Sequence, residues 1–315
     1  MIFKLQPIGK DYIWGGERLK KEYGKNINIS PLAETWECSV HPDGESIISG
    51  GEFSGRTLAS VLSEFPEYCG TNNKDGFPLL VKLIDAEDNL SVQVHPDDDY
   101  AQKYENQKGK TEMWYVLDAD ENASLIYGFK KNYPKDEIRN ALKDGSIINK
   151  LNKIPVKKGD VFFIPSGTVH AIGKGILVAE IQQNSNLTYR IYDYERKDRD
   201  GNFRPLHIEK ALDVMNISPV PEYTPEKNLS ENANCSIETL CNCDYFRAEK
   251  LNLKNKFLIP ADIKSFKILL CTEGNGIISE KNNIINFKKG DCVFISACSD
   301  IAELSGKAEL LIIMH

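Results

Sequence analysis

One segment of this chain is written twice. Phe287-Lys288-Lys289-Gly290-Asp291-Cys292-Val293-Phe294-Ile295-Ser296 echoes Val156-Lys157-Lys158-Gly159-Asp160-Val161-Phe162-Phe163-Ile164-Pro165 at an offset of 131 residues. Each copy sets a Gly-Asp turn ahead of a short apolar run, the pattern of a strand entered through a tight turn. The chain therefore has to build one β unit near its middle and a related one near its end. Its 315 residues accommodate either one large all-β domain or two ordinary ones. The copies part where chemistry could sit. The first runs on through a Pro165-Ser166-Gly167 turn to His170, and the same offset puts Ile301 at that place in the second. The C-terminal copy keeps the fold signal and loses the candidate ligand.

Around these units, residues 1–55 are rich in turns and aromatics and suit strands and loops better than helices. Leu58, Val61, Leu62 and Phe65 recur at helical spacing, with Pro66 and Gly70 as stops. Segments 97–104, 134–142 and 206–215 also read as helices, the first of them acid-capped. Strands are expected over 77–86, 110–117, 176–182 and 187–194. The 77–86 run is almost continuously apolar, as a buried strand would be, yet it carries Lys82 in its middle. A lone lysine there ordinarily snorkels to a sheet edge. Residues 216–234, with three prolines among Asn and Glu, read as a linker. This divides the chain into a domain over 1–234 and a smaller β domain over 235–315.

Composition narrows the function classes. A net charge of −7, from 39 basic and 46 acidic residues with no dense Lys/Arg block, argues against nucleic acid as the main partner. An anionic small molecule would need local cations. No apolar run approaches the roughly 18 residues of a membrane span, and the first residues show no export leader, so a cytoplasmic location is the default expectation. The eight cysteines mostly sit in apolar, strand-like text and are expected to be reduced. Cys241-Asn242-Cys243 lacks a second pair at zinc-ribbon spacing and reads as structural.

Chemistry concentrates on 90–98, where Val92 and Val94 alternate with Ser91, Gln93 and His95. Successive strand side chains point to opposite faces, so the polar set shares one face and requires either solvent or a ligand. Lys110, Glu112 and Trp114 share a face of another strand, and His170 opens a third. Gln93, His95, Glu112 and His170 together supply two imidazoles, a carboxylate and an amide oxygen. That mixed set suits Zn²⁺, with Fe²⁺, Mn²⁺ and Co²⁺ as alternatives. Glu180 and Gln182 share a strand face, as do Thr188, Arg190, Tyr192 and Tyr194.

Four segments carry a family resemblance: Leu90-Ser-Val-Gln-Val-His-Pro-Asp, Gly109-Lys-Thr-Glu-Met-Trp-Tyr-Val, His170-Ala-Ile and Asn186-Leu-Thr-Tyr-Arg-Ile-Tyr-Asp-Tyr. With the opening Glu34-Thr-Trp-Glu, the chain resembles the type I mannose-6-phosphate isomerases, in particular their short bacterial form, from about residue 7 to 215. The resemblance implies a mainly β, cupin (jelly-roll) sandwich with a few peripheral helices and a second, degenerate cupin-like domain. It implies one zinc per chain, held by Gln93, His95, Glu112 and His170, and the interconversion of mannose 6-phosphate and fructose 6-phosphate. Arg190 falls on the family's catalytic arginine, and Glu180 and Lys110 stand beside it as catalytic candidates. Ser91, Lys82 and Lys110 match phosphate or substrate positions, and Trp14, Glu34 and Glu180 match pocket-lining ones.

An enediol route needs a base between C1 and C2. Glu180 has the right chemistry if burial raises its pKa, and a metal-bound hydroxide is the alternative. Longer relatives carry a helical insertion between the Glu and second His ligands, whereas only 57 residues separate Glu112 from His170 here. The expected partner is a small sugar phosphate, with neither nucleic acid nor membrane, and the expected state a monomer or weak homodimer. The competing readings are a non-catalytic phosphosugar-binding cupin and an Fe²⁺ cupin oxygenase.

Overall fold

The computed structural model describes residues 1–73, 76–221, 223 and 229–315. Residues 222 and 224–228 of the expected linker lie outside that range. Among the described residues the strands form three antiparallel sheets, and the fold is mainly β with a few peripheral helices. A six-stranded sheet runs in the order Val161–Ile164, Glu112–Ala119, Ile176–Gln183, Leu79–Ala86, Glu34–Cys38 and Ile8–Lys10. Facing it is a five-stranded sheet ordered Tyr189–Tyr192, Val92–Val94, His170–Ala171, Ser124–Phe129 and Leu151–Pro155. Trp114, Val116, Ile84, Ile172, Ile176 and Val178 fill part of the space between them.

The outer faces of the two sheets are also covered, and this explains the apolar text. Val92, Val94, Tyr189 and Ile191 point away from the sandwich interior onto the helices Lys135–Asp144 and Ile208–Val214, through Ile138, Leu142, Ala211 and Leu212. On the other side, Leu83, Met113, Tyr115, Ala179 and Ile181 share one core with Phe266, Ile268, Phe294 and Leu311 of the third sheet. The six-stranded sheet is thus buried on both faces. Its central strand Leu79–Ala86 is buried along its whole length, so an uninterrupted apolar run is what the environment demands.

Among the described residues the third sheet has ten strands. Most come from residues after 228, but Ile2–Gln6 and Ile47–Ser49 complete it, Ile2–Gln6 pairing antiparallel with Cys292–Ile295. The repeated segment folds alike in both places. Gly159 and Gly290 take φ of 90° and 89°, a left-handed conformation that favours glycine. In each turn the aspartate carboxylate accepts the backbone N–H three residues earlier at 2.9 Å, Lys157 with Asp160 and Lys288 with Asp291. The strands Val161–Ile164 and Cys292–Ile295 follow. Ile301, at the place of His170, is exposed.

The expected helices form at Leu58–Glu64, Asp98–Glu105, Lys135–Asp144 and Ile208–Val214. Thr57 and Asp97 cap the first two by accepting the N–H of Ser60 and Tyr100. Residues 1–55 contain one helix that was not expected, Arg18–Tyr23, which buries only Leu19 and Tyr23. All eight cysteines are free thiols; Cys298 is exposed, Cys243 half-buried and the other six buried.

Candidate metal centre and substrate cleft

Cross-strand register gathers the candidate ligands. Gln93 lies opposite His170 on one side and opposite Arg190 on the other. Ser91 and Gln93 therefore face the sandwich interior while their apolar neighbours face the helices. His95 follows at the end of the strand, and its ring centroid lies 4.8 Å from that of His170. Glu112 opens a strand of the facing sheet, so both sheets contribute. His95 Nε2 is 3.5 Å and His170 Nε2 3.3 Å from the two Glu112 carboxylate oxygens. The Gln93 amide comes within 3.4 Å of His170 Nε2.

The two imidazoles are held in one protonation form. His95 Nδ1 meets the Leu187 carbonyl at 2.8 Å and His170 Nδ1 meets the Thr168 carbonyl at 2.9 Å. A carbonyl only accepts, so each Nδ1 carries the proton and each Nε2 presents a lone pair to Glu112. Burial pushes His170 down to about 4. Burial, followed by the charge of Lys110, keeps His95 well below its ordinary value. Both rings are neutral, as a metal ligand must be.

Glu112 is fully buried, and its Oε1 has no hydrogen-bond partner among the described residues. Burial and the nearby Glu180 charge favour its neutral form. What these donors point at is a cation: the Lys110 ammonium sits 2.5 Å from Glu112 Oε2 and 3.2 Å from His95 Nε2. His95, Glu112 and His170 can hold a metal ion. Turning the Gln93 amide by half a rotation would add its oxygen.

Beside this centre opens a cleft of about 720 Å³. Lys82 lies on its floor with Nζ 3.1 Å from Glu180 and 3.8 Å from Glu34, over the Trp36 ring. It does not snorkel to an edge: its strand is central, and two carboxylates provide for its charge where solvent would otherwise be needed. Trp114 donates to Glu180 Oε2 at 3.0 Å, and Lys110 lies 3.6 Å from Glu180 Oε1. Burial alone would raise the Glu180 pKa, but Lys110, Lys82 and the Trp114 bond outweigh it and hold the group below the usual carboxylate range. This is opposite to the direction expected of a burial-raised base. The attractions also keep Lys82 protonated.

Nearer the mouth, Arg190 donates from Nε to Ser91 Oγ at 3.2 Å and from Nη1 to the Pro205 carbonyl at 3.1 Å. Arg204 lines the same cleft, braced by bonds of 2.7 and 2.6 Å to Asp193. Trp14 stacks on Tyr12 in the wall, with Glu34 close by. The cleft is lined by Trp14, Glu34, Lys82, Ser91, Gln93, Lys110, Glu180 and Arg190, with Ser91 and Arg190 at one end and Lys82, Lys110 and Glu180 at the other, while His95, Glu112 and His170 are buried beside it. Arg204 and His41 line the cleft without having been anticipated. For His41 a signal existed, since His41-Pro42-Asp43 repeats the His95-Pro96-Asp97 triplet. Arg204 lies in aperiodic text and offered none.

The model of the type I phosphomannose isomerase catalytic domain matches residues 2–137, and that of the mannose-6-phosphate isomerase cupin domain matches 236–315. Mannose-6-phosphate isomerase ManA of Bacillus subtilis is 38% identical, over 99% of this chain and 98% of that protein. The chain belongs to the type I mannose-6-phosphate isomerase family. A mannose-6-phosphate isomerase of Streptococcus mutans is 48% identical across 68% of this chain and 67% of its own length. The crystal structure of the mannose 6-phosphate isomerase from Bacillus subtilis superimposes with a TM-score of 0.94 at 36% identity, covering 100% of this chain and 99% of that one. Membership makes the chain an isomerase, and the cleft is the place to look for its chemistry.

Proposed function

We propose that this isomerase interconverts mannose 6-phosphate and fructose 6-phosphate through an enediol, at a zinc centre held by Gln93, His95, Glu112 and His170. The observation that carries the reading is the meeting of two neutral imidazoles and an unpartnered buried carboxylate oxygen at the base of a cationic cleft. Zinc, when bound, supplies Lewis-acid stabilisation of negative charge on the sugar oxygens.

The chain's own residues do the rest. Ser91, Arg190 and Arg204 form the phosphate end, since two guanidiniums and a hydroxyl suit a dianion. Lys82 and Lys110 belong to the reacting end, where they neutralise charge developing at the carbonyl oxygen. Trp14 and Tyr12 wall the sugar and keep water out, and Glu34 anchors Lys82. Glu180 accepts the carbon-bound proton and returns it to the neighbouring carbon, while the Lys110 ammonium gives a proton to the carbonyl oxygen and regains one from the neighbouring hydroxyl. With both lysines against it, Glu180 is a weak base. When a lysine turns to a substrate oxygen, the Glu180 affinity for protons rises, so substrate binding itself readies the base. A coupled assay on Glu180→Gln tests this: turnover should fall by about 10² or more while zinc content stays that of wild type. Wild-type turnover in this variant would remove Glu180 from the proton path.

A further inference from the structure

Gln182 takes no part in the chemistry above, yet it is fully buried beside the centre, opposite Glu112 on one strand and Leu80 on the other. Its amide orientation is compelled. The neighbours of Nε2 are the Gln183 carbonyl at 2.8 Å and the Ser185 carbonyl at 2.5 Å. Neither can donate, so the NH₂ group must face them, and Oε1 is left without a partner among the described residues. Both N–H groups of a buried side chain are thus committed to one turn.

That turn leads to the metal centre. Ser185 Oγ donates to the Lys108 carbonyl at 2.9 Å and accepts the Leu187 N–H at 3.3 Å. The Leu187 carbonyl in turn receives His95 Nδ1–H at 2.8 Å. His170 is oriented differently, by the Thr168 carbonyl, which lies outside this turn.

We propose that Gln182 is a positioning residue for His95: by clamping the 183–187 turn it fixes the Leu187 carbonyl that holds the imidazole with Nε2 toward Glu112 and His170. The claim rests on the reading of His95 as a metal ligand only for its consequence on zinc; the clamp itself is a property of the chain. Gln182→Met keeps the length and volume and removes the donors, and Gln182→Glu keeps the shape and replaces donors with acceptors. In the metal-free protein, imidazole ¹⁵N shifts of the five histidines report each tautomer. Wild type should show His95 and His170 both protonated at Nδ1. In either variant His95 should become a tautomer mixture while His170 stays unchanged, and zinc affinity by chelator competition should drop about 10- to 100-fold. Should neither variant fold, Ser185→Ala cuts the same relay one step later and predicts the same His95 signature.

A folded variant with His95 wholly protonated at Nδ1 and wild-type zinc affinity would overturn the proposal. Were wild type itself to take up no zinc, the metal reading would fail, and the His95 tautomer would still decide whether Gln182 positions the ring.

Discussion

His170 and Arg190 flank Gln93 from opposite sides, with separable duties in the proposed reaction. His170→Ala should lose metal stoichiometry and turnover together, because it leaves one imidazole with a carboxylate and a neutral amide, a poorer donor set. Arg190→Ala should retain the metal and lose turnover by about 10² or more, because one of the two guanidiniums that grip the phosphate is gone and the sugar is no longer held in register; metal analysis alongside a coupled assay separates the two. Asp85 offers a test of burial away from the cleft. It is 1% exposed, accepts the Arg18 N–H at 2.8 Å, and is raised by burial to about 6 from 3.8. A folded pKa above the unfolded one gives stability at low pH that is lost as pH rises through about 6. Asp85→Asn, which keeps an acceptor for Arg18, should therefore stabilise at about pH 7.5 by up to about 3 kcal/mol, with the gain shrinking toward pH 5. Denaturant melts at both pH values check the sign. At this scale the residue types were readable, since Ser91, Gln93 and His95 alternate on one face. The Glu180 environment was not readable, because it depends on Lys82 and Lys110 arriving from two other strands.

At the scale of elements, the strand Cys292–Ile295 shows what text reveals and what it hides. Its Gly-Asp entry and apolar body were legible from the echo of 156–165, and the two turns share their hydrogen bonds. Its neighbours were not: Phe294 stacks on Phe3 at 6.1 Å and on Phe266 at 5.6 Å. Phe294→Ala should cost about 3–5 kcal/mol, read as a lowered denaturant midpoint with an unchanged slope. Helices with an apolar stripe and a capping residue announced themselves, whereas Arg18–Tyr23 is too short for a period to show. Lys82 illustrates the same divide. Its strand was legible as buried, but the pairing that places it between Glu34 and Glu180 comes from cross-strand register.

Across the whole molecule, the two β units are joined by more than a linker. Ile2–Gln6 pairs with Cys292–Ile295, and buried Lys25 bridges Glu37 and the Gly290 carbonyl. No local pattern foretells contacts between residues so far apart in the chain. Because one core serves the six-stranded sheet and the C-terminal sheet, the molecule should unfold in a single thermal transition. Two resolved calorimetric peaks would show instead that the sheets are energetically independent. The same architecture buries His95, Glu112 and His170, which could hold a metal ion, at the sandwich interior and leaves the cleft beside them. The central claim is that the donors and the cleft act as one zinc-dependent isomerase site. The direct measurement is mannose 6-phosphate turnover, by coupled assay, on protein stripped with chelator and titrated with zinc. Activity should vanish on stripping and return in full at one zinc per chain; undiminished turnover by verified metal-free protein would contradict it.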